Sequence, residues 1–223
     1  MIAIDGPAGA GKSTLASRLA RKLGYVNIET GAMYRALALK AIESGVSLDE
    51  EAALVELAER SRIELEPVPD GNRVLLGGRD VSERVREQEV TDAASRVSVH
   101  PQVRAWMVAR QQEMGAAGGV VMEGRDIGTQ VFPDADVKIF LDAAPEVRGE
   151  RRFLQGPGAT APRPAAEVIA ELRRRDQRDR TRAASPLVPA ADALVIDSTN
   201  LTIEQVVERA ESIIAEKQKA LRV

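Results

Sequence analysis

The sequence predicts an α/β fold in which a parallel β-sheet is covered by helices on both faces. Short apolar runs alternate with amphipathic segments along most of the 223 residues. A glycine-rich turn joins the first apolar run to the first helical pattern, and a hairpin pattern interrupts the alternation once. Because parallel strands need crossover connections and are buried on both faces, this alternation indicates a doubly covered parallel sheet.

Five short apolar runs are the candidates for the buried strands. Most are separated by helical patterns, and none shows the strict alternation of a half-exposed strand. The runs are Ile2–Ile4, Tyr25–Ile28, Gly119–Met122, Val137–Leu141 and Ala193–Ile196.

Two helices have clear sequence signatures. After the first run, one helical face collects Leu15, Ala16, Leu19, Ala20 and Leu23. The last segment repeats this spacing with Ile203, Val206, Val207, Ala210, Ile213 and Ile214. Two capping boxes also predict helix starts, one formed by Thr202 and Gln205 and the other by Ser47 and Glu50.

Two stretches interrupt the alternation. Arg62–Val68 and Arg73–Gly77 are extended patterns on either side of the turn Pro69–Asn72, which predicts a β-hairpin. The hairpin is either a decoration of the sheet edge or an insert that contacts substrate, and the pattern leaves both possibilities open. Gly156–Pro164 contains three prolines and two glycines and predicts an irregular connection between two arginine-rich helices.

Composition narrows the class of protein. A formal net charge of −3 argues against a protein that binds duplex nucleic acid over its whole surface. The lack of cysteine excludes a disulfide scaffold and a cysteine nucleophile, and the single His100 leaves little room for a histidine triad. No uncharged run approaches the ~18 residues of a membrane span, and the amino terminus has no signal-peptide pattern. We therefore expect a globular protein of the cytoplasm.

The glycine-rich turn Gly6–Ser13 matches the phosphate-loop pattern G-x-x-x-x-G-K-[ST]. Its glycines let backbone N–H groups approach an anion, and the N-terminus of the following helix adds partial positive charge. Lys12 can neutralise the β- and γ-phosphates of a nucleotide, and the Ser13 hydroxyl can ligate Mg²⁺. The alternative is an ordinary strand–helix turn with a solvated lysine.

Other motifs narrow the reaction. The chain has no N-K-x-D motif, which binds guanine in GTPases. The predicted strand Val137–Asp142 is followed by two alanines, whereas the corresponding strand of mechanical ATPases typically ends in Asp-Glu. These observations favour a small-molecule kinase, whose second, anionic substrate needs a site built from arginines.

Residues 148–182 hold ten arginines, no lysine and five acids. Arginine forms rigid bidentate pairs with phosphate, which lysine cannot do. If residues 170–182 are helical, one face carries Arg175, Arg178, Asp179 and Arg182. A second cluster consists of Arg148, Arg151 and Arg152. The alternatives are a solvated helix with pairs such as Asp176–Arg180, and an RNA-binding face, which the 3% aromatic content argues against.

Two more motifs follow predicted strands. TGAMYR, with Tyr34 and Arg35, lies just after the second strand, and EGRD, with Arg125 and Asp126, lies directly after the third. Ligands of open α/β sheets bind beyond the carboxyl ends of the strands. Both motifs therefore belong at the same edge of the sheet as the phosphate loop.

With these motifs the sequence resembles the bacterial cytidylate kinases over essentially its whole length. The matching segments are IDGPAGAGKS, TGAMYR, EGRDIGT, VFPDADVKIFLDA, RRRDQRDRTRAASPLVPAADALVIDS and the hairpin. The resemblance implies a P-loop NTPase-type fold: a five-stranded parallel sheet flanked by helices, a small NMP-binding insert containing the β-hairpin, and a helical lid. It implies a single domain over 1–223, with the core in 1–60, 86–147 and 183–223, the insert at about 61–85 and the lid at about 148–182.

The resemblance also implies ATP-dependent phosphorylation of CMP and dCMP to CDP and dCDP, with Mg²⁺ accompanying ATP. It assigns ATP binding to Gly6, Pro7, Ala8, Gly9, Ala10, Gly11, Lys12, Ser13 and Thr14, with Ser13 as the Mg²⁺ ligand. The residues expected to act in catalysis are Lys12, Arg125, Arg182, Arg151 and Arg152, with Arg148 as a further lid candidate.

Three roles are implied within the CMP site. The acceptor phosphate would bind Thr30, Tyr34, Arg35, Arg125 and Arg182. The ribose would contact Arg175 and Asp179, and the cytosine would be read by Ser95, Arg104 and Asp126. An aspartate accepts from the cytosine amino group, whereas uracil presents a carbonyl there. Since a buried unpaired polar group costs ~1–3 kcal/mol, such a site can discriminate.

Two positions depart from the family pattern. Thr30 stands where the family often has serine, and Glu123 where it often has aspartate. A hydroxyl and a carboxylate are kept, so we expect altered affinity rather than lost activity. The family suggests a monomer without nucleic-acid or membrane partners. Two other functions stay open: a monophosphate kinase for UMP or a non-nucleotide anion, and a nucleotide-dependent regulator or RNA-binding protein.

Overall fold

The sheet has the predicted strands in a parallel arrangement. The computed structural model describes residues 1–68, 71–155 and 164–220. Its parallel sheet has the order β2-β6-β1-β7-β8. The strands are β1 Ile2–Asp5, β2 Val26–Glu29, β6 Val120–Gly124, β7 Val137–Asp142 and β8 Leu194–Asp197. All five predictions are confirmed to within two residues, and the central strands β1 and β6 are buried along their whole length.

Helices cover both faces of the sheet. They are α1 Lys12–Leu23, α2 Thr30–Ser44, α3 Glu51–Glu59, α4 Gln88–Val97, α5 Pro101–Gly115, α6 Pro145–Gln155, α7 Ala165–Thr181 and α8 Ile203–Ala220. One face of the sheet packs against the predicted apolar sides of α1 and α8, which contribute Leu15, Leu19, Val206 and Ile214. The other face packs against the π-helical turn Ile127–Val131 and side chains of α5. None of the helices in the described ranges has the length and apolarity that crossing a membrane requires.

Of the two predicted capping boxes, one is confirmed and one is wrong. Thr202 N–H donates to Gln205 Oε1 at 2.9 Å, and Gln205 N–H donates to Thr202 Oγ1 at 3.3 Å. Ser47 does not cap α3, which begins at Glu51 and has no side-chain cap at Glu50. Instead Ser47 Oγ accepts from the backbone N–H of Asp49 at 3.3 Å. This local hydrogen bond forms a turn that competes with an earlier start of the helix.

The predicted hairpin is confirmed and is larger than expected. Strand β3, Ile63–Val68, pairs with β4, Gly71–Leu76, and a short β5, Arg79–Asp80, adds a third antiparallel strand. The predicted turn Pro69–Asn72 is wrong in its second half, because Gly71 and Asn72 already pair within β4. Pro69 and Asp70 lie outside the described residues.

The side chain of Asn72 joins this small sheet to the main one. Its Nδ2 donates to the carbonyl of Asn27 at 2.8 Å, and its Oδ1 accepts from the backbone N–H of Glu29 at 2.9 Å. Both partners belong to β2, an edge strand of the main sheet. Asn72 therefore satisfies two backbone groups that an unpaired edge would expose.

The arginine-rich segment forms α6 and α7, and the predicted helix over residues 170–182 begins earlier, at Ala165. The predicted connection Gly156–Pro164 lies outside the described residues except for Pro164. The suggested pair Asp176–Arg180 is wrong. Asp176 accepts a hydrogen bond from Arg148 at 2.5 Å, and Arg180 lies 3.5 Å from Asp142.

Candidate active site

A cavity of about 260 Å³ lies at the carboxyl edge of the sheet, where the phosphate loop, α2, β6 and α7 converge. The ends of three adjacent strands meet there because the register aligns Ile4 and Glu29 with Glu123. Among its described lining residues, eight cationic side chains stand against four carboxylates. This excess of positive charge in a partly enclosed site suits a polyanionic ligand.

The phosphate loop is held against β7. A side chain at Gly6 would place its Cβ 2.0 Å from the Leu141 carbonyl oxygen, so only glycine fits there. Lys12 is buried at 5% exposure, and its Nζ donates to the Pro7 carbonyl at 2.8 Å. Burial, followed by the nearby charge of Arg125, lowers the pKa of Lys12 to about 7. A phosphate beside the ammonium group would oppose both effects, because an opposite charge raises the pKa of a lysine.

Oxygen ligands stand beside the loop. Ser13 Oγ donates to Glu123 Oε1 at 2.5 Å, and Thr30 Oγ1 donates to the Glu123 carbonyl at 2.8 Å. Burial raises the pKa of Glu123, while Lys12 opposes the shift. A hydroxyl and a carboxylate are the hard oxygen donors that Mg²⁺ prefers, so Ser13 and Glu123 fit an ion that accompanies ATP.

Across the cavity, Arg104 and Asp126 form a buried pair with 3% and 4% exposure. The Arg104 Nη2 donates to Asp126 Oδ2 at 2.5 Å, and its Nη1 donates to the Ser98 carbonyl at 3.1 Å. The guanidinium also lies over the Tyr34 ring, 5.4 Å from the centroid. Within the described part of the chain, Arg104 Nε and the buried Ser95 hydroxyl have no hydrogen-bond partner. A polar planar ligand would satisfy such groups.

A cluster of arginines lies between these two halves. Arg125 Nε donates to Asp179 Oδ2 at 3.0 Å, and Arg182 approaches Asp179 at 3.6 Å. Burial raises the pKa of Asp179, but the adjacent guanidinium groups outweigh it and lower that pKa below its ordinary value. Among the described residues, Arg35 Nε, Arg175 Nε and Arg182 Nη2 are buried without partners. Burial and then the charge of Arg125 lower the pKa of Arg175 to about 10. These unpartnered donors and the excess of guanidinium groups suit an anionic ligand.

The three arginines of α6 that were expected to act on the donor phosphates do not all face the cavity. Arg151 and Arg152 line it, and Arg151 also donates to the Ser198 hydroxyl and carbonyl at 3.0 and 2.7 Å. The expectation for Arg148 is wrong. Its guanidinium is buried against the carbonyls of Ala143 and Ala8 and the carboxylate of Asp176. Because these nitrogens are bound to protein acceptors, Arg148 does not face the cavity. It stabilises the phosphate loop through its hydrogen bond to Ala8.

The structure brings most of the predicted site residues together around the cavity. Those that line it are Ala8, Gly9, Gly11, Lys12, Ser13, Thr14, Thr30, Tyr34, Arg35, Arg104, Arg125, Asp126, Arg151, Arg152, Arg175, Asp179 and Arg182. Gly6, Pro7 and Ala10 shape the loop without lining the cavity, and Ser95 is buried beside it. Arg178 does not share the site and is exposed, although it was expected on the same helical face.

Sequence reasoning missed Glu29, Gly31, Ala94, Ser98 and Gly124. Two of them carry a signal in the sequence. Glu29 and Gly124 end strands β2 and β6, where ligand-binding residues are expected. Gly124 leaves no space for a side chain, because its Cβ would lie 2.7 Å from Thr30 Oγ1. Ala94 and Ser98 lie one helical turn apart around the end of α4 and carry no such signal.

Comparison with known proteins agrees with this geometry. A family model described as cytidylate kinase matches residues 2–216. The chain is 50% identical to a cytidylate kinase of Geobacillus kaustophilus over 216 residues, covering 97% of this chain and 96% of that one. It is 46% identical to a cytidylate kinase of Pasteurella multocida over 214 residues, covering 96% and 94%. The chain therefore belongs to the cytidylate kinase family.

Proposed function

We propose that this cavity transfers the γ-phosphoryl group of Mg·ATP to CMP and dCMP, giving CDP and dCDP. The observation that carries the proposal is the arrangement of three unsatisfied regions in one cavity. They are a phosphate loop with a desolvated lysine, a cluster of arginines with buried free nitrogens, and the Arg104–Asp126 pair. They match a donor polyphosphate, an acceptor phosphate and a polar base in that order.

The donor half consists of the phosphate loop and the start of α1. Backbone N–H groups of Gly9, Gly11 and Ser13 and the ammonium of Lys12 would bind the ATP phosphates. Ser13, with Glu123 beside it, would hold Mg²⁺, which supplies charge neutralisation at the phosphates when bound. A phosphate next to Lys12 would also keep it protonated, because an opposite charge raises the pKa that burial has lowered.

The acceptor phosphate would bind among the central arginines. Arg35, Arg125 and Arg182 converge there, and the buried Nε of Arg35 and Nη2 of Arg182 are donors available to phosphate oxygens in the described structure. Thr30 and Tyr34 supply hydroxyls, and burial raises the pKa of Tyr34 to about 12, which keeps it a neutral donor. Arg175 and Asp179, on adjacent turns of α7, would contact the ribose.

The base would be recognised by Arg104, Asp126 and Ser95. Asp126 offers a carboxylate acceptor for the cytosine amino group, while Arg104 and Ser95 offer donors for its ring nitrogen and carbonyl. Uracil would place a carbonyl oxygen against Asp126. The buried Arg104–Asp126 pair fixes this pattern of donors and acceptors, because each partner needs the other's charge.

Catalysis in such a site is mainly positioning and charge stabilisation. The transferring phosphoryl group passes in line through a loose transition state whose charge spreads over its oxygens. Lys12, Arg151 and Arg152 would neutralise that charge from the donor side, and Arg125 and Arg182 would hold the attacking oxygen in line. No protein base is needed, because the acceptor phosphate oxygen is already ionised near pH 7.

We also propose an insert at about 61–85 that contacts the acceptor and a lid at about 148–182 that excludes water when it closes. Asn72 supports the first role, since it ties the insert to β2 next to Glu29. We propose a monomer, as the family resemblance suggests. A cytoplasmic location without nucleic-acid or membrane partners follows the composition of the chain.

The test of these roles is the Arg104→Met variant. It keeps most of the volume of the side chain and removes its donors and charge. We expect kcat/KM for CMP to fall roughly a hundredfold, since a charged buried contact is lost, while KM for ATP stays nearly constant. Arg110→Met is the matched control, because Arg110 lies on the same helix but is exposed and pairs with Glu113.

An equal loss of CMP and ATP binding in Arg104→Met would contradict base reading by Arg104. Turnover of UMP in preference to CMP by the parent enzyme would support the alternative of a kinase with another acceptor. Binding of RNA with a steep dependence on salt, and no acceptor phosphorylation, would support the alternative of a regulator.

A further inference from the structure

Asp5 is a buried carboxylate to which neither the donor site nor the acceptor site gives a role. It ends β1 and directly precedes Gly6, the first residue of the phosphate loop. Its side chain is 5% exposed, and the rest of β1 is apolar and buried. Because a buried carboxylate is costly in such a strand, its presence calls for a specific partner.

The partners of Asp5 are two backbone N–H groups of the turn that follows Asp126. Ile127 donates to Asp5 Oδ1 and Gly128 donates to Oδ2, each at 2.8 Å. These are the first two residues of the π-helical turn Ile127–Val131. Both carboxylate oxygens are thus used to fix the backbone immediately after the residue that pairs with Arg104.

This arrangement links the two halves of the cavity through one side chain. The backbone of Asp5 continues into the phosphate loop, while its carboxylate holds the turn that begins at Asp126. Gly128 leaves little free space there, since a Cβ would lie 3.1 Å from Lys138 Cδ and 3.4 Å from Asp5 Oδ2. The turn is therefore confined on one side by Lys138 and on the other by Asp5.

Ionised Asp5 destabilises the folded protein, because its charge is buried. Burial, together with the nearby charge of Asp126, raises the pKa of Asp5 to about 6, although the two N–H groups and Lys12 act to lower it. An uncharged residue would avoid this cost, but it could not accept charge-assisted hydrogen bonds from both N–H groups. A costly buried charge next to a binding site is more consistent with a functional role than with stability alone.

We propose that Asp5 is a positioning residue for selection of the acceptor base: by holding the turn after Asp126, it aims the Asp126–Arg104 pair at the base. This inference rests on the proposed function, in which that pair reads cytosine. Asp5 touches no substrate in this account. It acts through the placement of Asp126, for which errors well below 1 Å affect recognition.

The test is Asp5→Asn, which keeps the shape of the side chain. The amide has one oxygen, so one N–H of the turn loses its acceptor and faces an NH₂ group. We expect KM for CMP to rise roughly tenfold, by analogy with other lost buried hydrogen bonds, and KM for ATP to change less than about twofold. The preference for CMP over UMP should fall, because the Arg104–Asp126 pair is displaced and the phosphate site is not.

Two controls separate positioning from general damage. Ile139→Val removes one methylene from β7 next to β1, outside the cavity, and mimics a mild loss of stability. If Asp5→Asn and Ile139→Val change KM for CMP, UMP and ATP in the same proportions, the inference is overturned. If Asp5→Asn does not fold, Gly128→Ala shifts the same turn and should reduce the CMP preference selectively; an unchanged preference there overturns the inference.

Failure of this inference is distinguishable from failure of the proposed function. Arg104→Met is measured alongside with CMP and UMP. If Arg104→Met abolishes the CMP preference and Asp5→Asn leaves it intact, the base site stands and the role of Asp5 is refuted. If neither variant alters the preference, base reading by this pair is refuted, and the role of Asp5 fails with it.

Discussion

Replacing Lys12 by methionine should abolish turnover and at the same time stabilise the ligand-free protein. Lys12 is buried, and its ammonium has the Pro7 carbonyl as a hydrogen-bond acceptor at 2.8 Å. Arg125 adds a like charge nearby, and Glu123 only partly compensates. The charge of Lys12 thus destabilises the ligand-free protein, as expected for a lysine placed to bind phosphate.

The magnitude follows from the pKa of Lys12, which burial lowers from 10.5 to about 7. At ~1.4 kcal/mol per pKa unit, this lowering corresponds to a loss of at most roughly 5 kcal/mol of stability near pH 7. Two losses reduce the stability gained by the substitution. Methionine leaves the Pro7 carbonyl without a hydrogen-bond donor, which costs about 1 kcal/mol, and it removes the cation beside Glu123. We expect a net gain of about 1–3 kcal/mol, or roughly 2–12 °C in Tm for a chain of this size.

The assay is thermal unfolding of both proteins without ligand at pH 7 and at about pH 9.5. The folded state binds fewer protons than the unfolded state between about pH 7 and 10.5, because the folded-state pKa of Lys12 is the lower one. The stability of the parent therefore rises with pH in this window, and its gap to the variant narrows. A variant less stable than the parent at pH 7, or a gap that stays constant, would refute this reasoning.

Three further predictions concern contacts around the site. Arg148→Met should lower the free energy of unfolding by about 3–5 kcal/mol, because Asp176 is left charged and buried, and the double variant with Asp176→Leu should recover most of it in denaturant titrations. Asn72→Ala should raise KM for CMP more than KM for ATP, because the insert loses its two bonds to β2 beside Glu29. Thr30→Val should weaken CMP binding several-fold in calorimetry, roughly the worth of one hydrogen bond, while Thr30→Ser keeps the hydroxyl and should change the affinity less than Thr30→Val does.

Local patterns predicted the strands of the sheet and the edge at which the cavity lies. Each of these features is a short contiguous pattern in the sequence: an apolar strand, the phosphate loop, or the polar residues that follow a strand. Their positions therefore follow from short-range rules. Parallel pairing then brings Glu29, Glu123 and the phosphate loop to one edge without further information. The assignment of cytosine reading to Ser95 and Arg104 came only through the family resemblance, because isolated serines and arginines in helices carry no local signal.

Contacts between distant segments could not be predicted in this way. Arg148 belonged to a pattern typical of phosphate binding, yet Asp176 and the carbonyl of Ala8 bind its guanidinium across 28 and 140 residues of chain. Asp5 likewise meets the turn at Ile127 only because β1 and β6 are neighbours in the sheet. Such buried hydrogen bonds depend on which helices and strands pack together, which residue spacing alone does not encode.

The most direct test of the central claim is ADP release by the purified enzyme with Mg·ATP and a panel of acceptors: CMP, dCMP, UMP, AMP and dTMP. We expect strong turnover of CMP and dCMP, weak turnover of UMP, and loss of at least about a hundredfold in kcat for Lys12→Met with every acceptor. Preferential turnover of UMP would contradict the base site built on Arg104 and Asp126. Absence of turnover with the entire panel would contradict the proposed reaction itself.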